Sequence, residues 1–246
     1  TGPLARRVDD LRLALEVMSG YSPEDPVSAP VPLEGSAFER RVVVVKSHDG
    51  LAIDPRIEAD IDRAAAVFRA AGWSVEAATP PSLREAVELQ IDLWFCDGFD
   101  AQMEAAQREG DEGALTALRR NRRQAERFDL ARFSEVFGRR AALARLWRRF
   151  MADYPVVLMP VSAELPFKRD EDLSGDDALE RIWQAQTSQI GLPLVGLPAL
   201  SFATGVVDAV PRGVQLVAAP WREDVCLAAA DVLELAFGVP AVAEPL

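Results

Sequence analysis

The sequence predicts a layered α/β body. Three observations predict it: the wholly apolar run Val42-Val43-Val44-Val45, a second such run Val156-Val157-Leu158-Met159, and a helix-period stripe that links the first run to an alternating segment at Trp73, Val75 and Ala77. Short β-branched runs read as strands covered on both faces, and strand, helix, strand in that order makes a β-α-β unit. With 49% hydrophobic residues in 246 the chain can bury a sizeable core. No composition shift marks a linker, so residues 1–246 read as one body.

From the start of the chain, Leu4, Val8, Leu11, Leu15 and Met18 recur at intervals of three and four, predicting one face of an amphipathic helix that Gly20 ends. The segment from Ser22 to Pro32 carries four prolines, cannot hold a helix, and reads as an extended loop. The tetravaline run then predicts a central strand. Asp54 caps the next helix, Pro55 takes its first position, Ile57, Ile61, Ala64, Phe68 and Ala71 form its stripe, and Gly72 closes it. Between Ser82 and Arg149 the chain is helical and arginine-rich, with Phe133, Phe137, Ala141, Ala144, Trp147 and Met151 as the predicted buried stripe.

Val156–Met159 predicts a buried strand that opens at Pro160 into a loop, a common place for a ligand. A helix is expected from Ala178 to Ile190, after which Gly191, Pro193, Gly196 and Pro198 should break the chain repeatedly. Ala199–Phe202 and Gly213–Val217 read as strands, and Arg222–Phe237 as a helix with Glu223 and Asp224 in its first turn.

Charge and composition exclude several classes. Thirty-nine acidic against 27 basic residues give −12, a field that repels phosphate backbones and anionic membranes, so neither nucleic acid nor membrane is expected as a partner. Cys96 and Cys226 are far apart without CxxC spacing, which indicates no disulfide framework and no zinc site and fits a reducing cytoplasm. No apolar run reaches 18 residues, and no basic segment leads into an apolar one. Thr1-Gly2-Pro3-Leu4 opens on a turn running into a helix, which reads as the middle of a longer polypeptide.

The residues alone assemble no active site. His48, the single histidine, stands next to Ser47 in a polar turn and reads as a solvated loop residue. Lys46 follows a buried strand and is expected to reach outward to water rather than act as a base. Asp9-Asp10, Asp60/Asp62 and Asp176-Asp177 read as exposed solvating charges or caps. There is no G-x-S-x-G elbow, no phosphate-binding loop and no G-x-G-x-x-G, so no cofactor is implied.

Four segments carry a resemblance. Gly2-Pro3-Leu4-Ala5-Arg6-Arg7-Val8-Asp9-Asp10, the loop holding Asp25-Pro26, Val156–Pro160, and the ending Leu197-Pro198-Ala199-Leu200-Ser201, Pro211-Arg212-Gly213-Val214-Gln215-Leu216-Val217, Trp221-Arg222-Glu223-Asp224 stand in the order found in amidase-signature enzymes. The chain resembles the C-terminal portion of one such domain, following its Gly/Ser-rich core. The resemblance implies a mixed β-sheet flanked by helices. It also implies hydrolysis of a carbon–nitrogen bond in a small or aryl amide by a Ser, cis-Ser, Lys triad, all of it upstream of Gly2, so no catalytic residue is assigned here. What this portion would contribute is pocket wall, with Trp94, Phe95, Phe137, Ser162 and Gln189 as the candidates. Thr187-Ser188-Gln189 and Phe202-Ala203-Thr204-Gly205 depart from the family pattern and leave the substrate open.

The implied partners are a small-molecule amide and the N-terminal half. An exposed apolar face is expected where that half would pack, to be covered by it or by a homodimer. Two alternatives stand beside the hydrolase: the amidase subunit of a tRNA-dependent amidotransferase, and a non-catalytic paralogue or fragment.

Overall fold

A computed structural model describes residues 2–96, 98–126 and 128–241; Thr1 and the side chain of Cys96 lie outside the described residues. Strands β1 (Arg41–Val44), β2 (Ser74–Ala77), β3 (Val156–Pro160), β4 (Ala199–Val207) and β5 (Val210–Val217) form one sheet in the order β2-β1-β3-β5-β4. β1 runs parallel to β2 and β3, whereas β5 is antiparallel to both β3 and β4, so the sheet is mixed as the resemblance implies. The tetravaline strand is interior, but the middle place belongs to β3.

Alternation along the valine run explains the layers. Val42 joins one core with Val156, Leu158, Val214 and Leu216, beneath α2 (Pro55–Ala70) and α9 (Glu223–Phe237). Val43 and Val45 point into the other with Val157, Met159 and Val217, beneath α3 (Arg84–Cys96), α6 (Leu130–Asp153) and α8 (Thr187–Val195). Both faces of β1 and β3 are covered, which is why these two strands read as continuous apolar runs. α2 forms as expected: the Asp54 side chain accepts from the Arg56 N–H, Pro55 holds the first turn, and Ile61, Ala64 and Phe68 are fully buried. Arg56 also keeps the Asp54 carboxyl ionised, its pKa lowered to about 2.

Five expectations need correction. The first helix, α1 (Val8–Met18), begins at Val8 rather than at Leu4, which is 99% exposed. α1 is held on α9 by the Val8 N–H donating to Glu234 Oε1 and by the Arg12–Asp231 pair. On α6 the buried residues are Val136, Leu143, Trp147 and Met151, while Phe133 and Phe137 are 42% and 44% exposed and lie against each other with their rings tilted by 50°. The phenylalanines lie on the i, i+4 row beside the one that meets α8.

The predicted Ala178–Ile190 helix is two helices, α7 (Asp176–Ala185) and α8, broken at Gln186, and α8 continues through Gly191 and Pro193 to Val195. Proline removes one helical hydrogen bond, but Ile190, Leu192 and Leu194 are buried, and at Gly191 a Cβ would come within 3.1 Å of Leu83. Tertiary burial outweighs the local breakers there. The last two strands run past their expected ends to a two-residue hairpin at Asp208 and Ala209, both with positive φ (53° and 61°). Gly205 absorbs a register shift next to that turn, and Gly213 lies so close to Phe202 O that a Cβ would sit 2.6 Å away.

The fifth correction is His48, which is 6% exposed with its ring 6.0 Å from that of Trp147. Asp49, at φ 54°, accepts from the Leu83 and Arg84 N–H groups and so caps the start of α3, folding the polar turn inward over α6. Burial lowers the His48 pKa to about 4 and keeps the imidazole neutral. Lys46 does reach outward, bonded to Glu58 and Asp62, which raise its pKa.

Between α3 and α6 lie α4 (Phe99–Glu109) and α5 (Glu112–Glu126), packed around a small cluster of their own, Phe99, Met103, Ala106 and Leu115. Among the described residues no helix is long and apolar enough to cross a membrane.

Candidate functional site

β3 ends at Pro160, and the chain beyond it, residues 161–167, is fastened from two sides. Ser188 Oγ donates to both Pro160 O and Val161 O, at 3.1 and 2.7 Å, and Gln189 Nε2 donates to Val161 O at 3.2 Å. The Ala163 N–H donates to Ala185 O, and Ala163 O in turn accepts from the Asp54 N–H at the cap of α2. The break between α7 and α8, illegible in sequence, thus provides both the hydroxyl and the amide that pin this loop.

Between the loop, α2 and the start of β5 is a cavity of about 440 Å³, with Ile57, Ser162, Leu165, Phe167, Gln189 and Arg212 among its walls. Two of the five candidate wall residues, Ser162 and Gln189, are brought together here. Trp94 is 46% exposed on α3, Phe95 faces the α4–α5 cluster against Phe99, and Phe137 is exposed on α6; none of the three lines this cavity. The wall is mostly apolar, with a few polar groups at fixed places, the usual make-up of a small-molecule site.

Arg212 is its cation. Its side chain is 11% exposed, and its Nε lies 3.2 Å from Asp60 Oδ2, itself 1% exposed. The reading of Asp60 as a solvating charge is therefore corrected. Asp60 sits one turn from Ile57 and Ala64 on the buried stripe of α2, and its Oδ1 also takes Arg63 at 2.5 Å. Both signals were present in the sequence, as a carboxylate on an apolar helix face and an arginine between Pro211 and Gly213 in an apolar strand. Glu164 is occupied by Arg181, which also pairs with Glu171 and lies over the Phe167 ring.

A second cavity of about 490 Å³ lies on the other side of the α7–α8 junction, walled by His48, Arg84, Ile91, Glu180, Trp183 and Thr187 among others. The first is the better candidate despite being smaller. It stands at the carboxyl end of a buried parallel strand, and it presents a guanidinium held from below. Among the described residues no group of three or more His, Cys, Asp or Glu is placed to hold a metal ion.

A family model described as Amidase matches residues 1–227. The indoleacetamide hydrolase of Bradyrhizobium diazoefficiens is 32% identical over 241 residues, which cover 97% of this chain and 46% of that protein. A glutamyl-tRNA(Gln) amidotransferase subunit of Thermus thermophilus is 29% identical over 253 residues, covering 91% and 52%. Among solved structures, 6-aminohexanoate cyclic dimer hydrolase complexed with substrate matches with a TM-score of 0.76 at 24% identity, over 95% of this chain and 54% of that one. A bacterial aryl acylamidase of the amidase signature family matches with 0.75 at 21%, over 96% and 52%. At these identities the two structures show the shared fold. The chain spans about half the length of the curated relatives it matches.

Proposed function

This chain belongs to the amidase family, and we propose that it forms the substrate-pocket half of an enzyme that hydrolyses the carbon–nitrogen bond of a small or aryl amide. The observation that carries the reading is the convergence of Ser162 and Gln189 on one cavity at the end of β3, in a chain matched over residues 1–227 by the family model. The chemistry would come from a Ser, cis-Ser, Lys triad in the preceding half, the lysine acting through the bridging serine to activate the nucleophile. This half would hold the substrate against it, and correct placement of the reacting carbonyl is worth several kcal/mol of barrier, on the order of 7 or more in well-oriented cases.

The other half of the body is the partner this reading requires. The exposed Leu4, Leu13 and Val17 and the outer edge of β4 support it as surface that half would cover. The reading places the protein in the cytoplasm, where widely separated thiols stay reduced.

The full-length protein carrying this chain is expected to turn over indole-3-acetamide or a simple anilide in the presence of EDTA, and to lose that turnover when the upstream lysine is replaced by alanine. Undiminished turnover in that variant would refute the mechanism. Gln189→Trp fills the cavity and should raise KM about tenfold or more; an unchanged KM would remove the cavity from the active site. The resemblance to the amidotransferase protein supports a second reading, separated by whether the protein copurifies with a second subunit that stimulates glutaminase activity.

A further inference from the structure

The buried cation of the β3 cavity says which kind of amide group the site would select. A guanidinium presents five N–H donors in a planar fork. Arg212 uses few of them. Its Nε and Asp60 Oδ2 are close, but neither makes a hydrogen bond of good geometry, and its Nη1 is 3.5 Å from Arg56 O. Nη2 has no hydrogen-bond partner among the described residues. Donors are thus left at the wall of a cavity that Ile57, Leu165 and Phe167 also line, together with the polar Ser162, Gln186 and Gln189 and the paired Glu164.

The charge, unlike the donors, is already balanced. Asp60 is shared by Arg212 and Arg63, and Arg181 is shared by Glu164 and Glu171, so the extra positive charge on one side of the cavity is offset by the extra negative charge on the other. An incoming carboxylate would lose its hydration for little net attraction, whereas a neutral carbonyl oxygen accepts the same hydrogen bond at a smaller desolvation cost. We propose that Arg212, held in place by Asp60, donates to a neutral carbonyl oxygen on an apolar or aromatic ligand, so that the cavity prefers an amide to the carboxylic acid its hydrolysis would release. The proposal rests on the reading of this cavity as the substrate pocket, and it adds product rejection to that reading.

The test uses the full-length protein carrying this chain, with its upstream lysine replaced by alanine so that the acetamide is not consumed. Indole-3-acetamide, indole-3-acetate and 3-methylindole are titrated separately while NMR follows the Ile57 methyl and Gly213 amide signals. The acetamide should shift both and bind more tightly than the acetate. Arg212→Met should weaken acetamide binding about tenfold while leaving 3-methylindole unchanged, as expected for loss of one hydrogen bond from a charged donor. Arg212→Lys keeps the charge near Asp60 and guards against a folding defect; it should give an intermediate loss. Asp60→Asn unbalances the guanidinium and should turn the preference toward the acetate, a reversal that a merely structural ion pair would not produce. Equal acetamide binding in Arg212→Met, or an unmoved acetamide-to-acetate ratio in Asp60→Asn, overturns the proposal and leaves the cavity reading standing. Shifts at neither reporter with any of the three probes overturn both.

Discussion

The sheet with its two helical layers and the α4–α5 pair are built from different materials. Around the sheet, Val42, Val43, Phe68, Trp147, Val157, Leu158 and Leu216 are fully buried between the interior strands and the helical layers on both faces. The α4–α5 pair buries four residues in its own cluster, and Arg119 and Arg122 project half-exposed from α5. It meets α3 through Phe95, which packs edge-on against Phe99, and it is also fastened by polar groups. Arg120 donates to Asp172 O and Leu173 O, at 2.7 and 3.0 Å, and pairs with Asp176. The comparison teaches that one chain can carry a core closed on two sides and beside it an element held by one small apolar seam and a few side-chain-to-backbone bonds.

That contrast makes graded predictions. Phe68→Ala should cost about 3–5 kcal/mol of global stability in denaturant titration, whereas Met103→Ala in the helical pair should cost well under half of that. Equal costs would mean that the two regions form one cooperative core. A second effect belongs to the sheet side of the boundary. His48 is held neutral with its pKa at about 4, below the unfolded value of 6.5. The unfolded chain therefore binds the extra proton between those values, and stability falls as pH drops from about 6.5 toward 4, by roughly 2–3 kcal/mol. In His48→Gln that slope should flatten, as read from melting temperatures across the window.

Gly191→Val tests the seam between α3 and α8, where even a Cβ would be 3.1 Å from Leu83; overpacking should cost about 1–3 kcal/mol. The smallest global change is expected for Arg120→Ala, below about 1 kcal/mol, yet amide exchange in α5 should speed up while exchange in β1 and β3 stays slow. Parallel acceleration in the strands would erase the distinction between the regions.

The strands and α2 were legible because their signals are local and redundant: a β-branched run, a capping aspartate, a proline at the first helical position and a 3–4 spacing all agree. Ser162 and Gln189 were named as wall candidates through the resemblance, and the fold brings these two of the five candidates to one cavity. Arg212 and Asp60 were missed because each looks ordinary alone, and only the packing of α2 across the start of β5 brings them within 3.2 Å.

From residue order alone follow the α/β class, the family and the two buried apolar strands. These depend on periodicity and short-range chemistry, which a linear reading contains. What the tertiary structure decided is where local rules lose. Pro193 stays helical because the residues around it are buried, and His48 is neutral because it is buried where its turn folds inward, fixed by Asp49 capping a helix 35 residues away. Leu4 stays in water because the first helix finds its neighbour only from Val8 onward. In each case the deciding free energy comes from contacts between segments far apart in the chain, a quantity that no window of sequence holds.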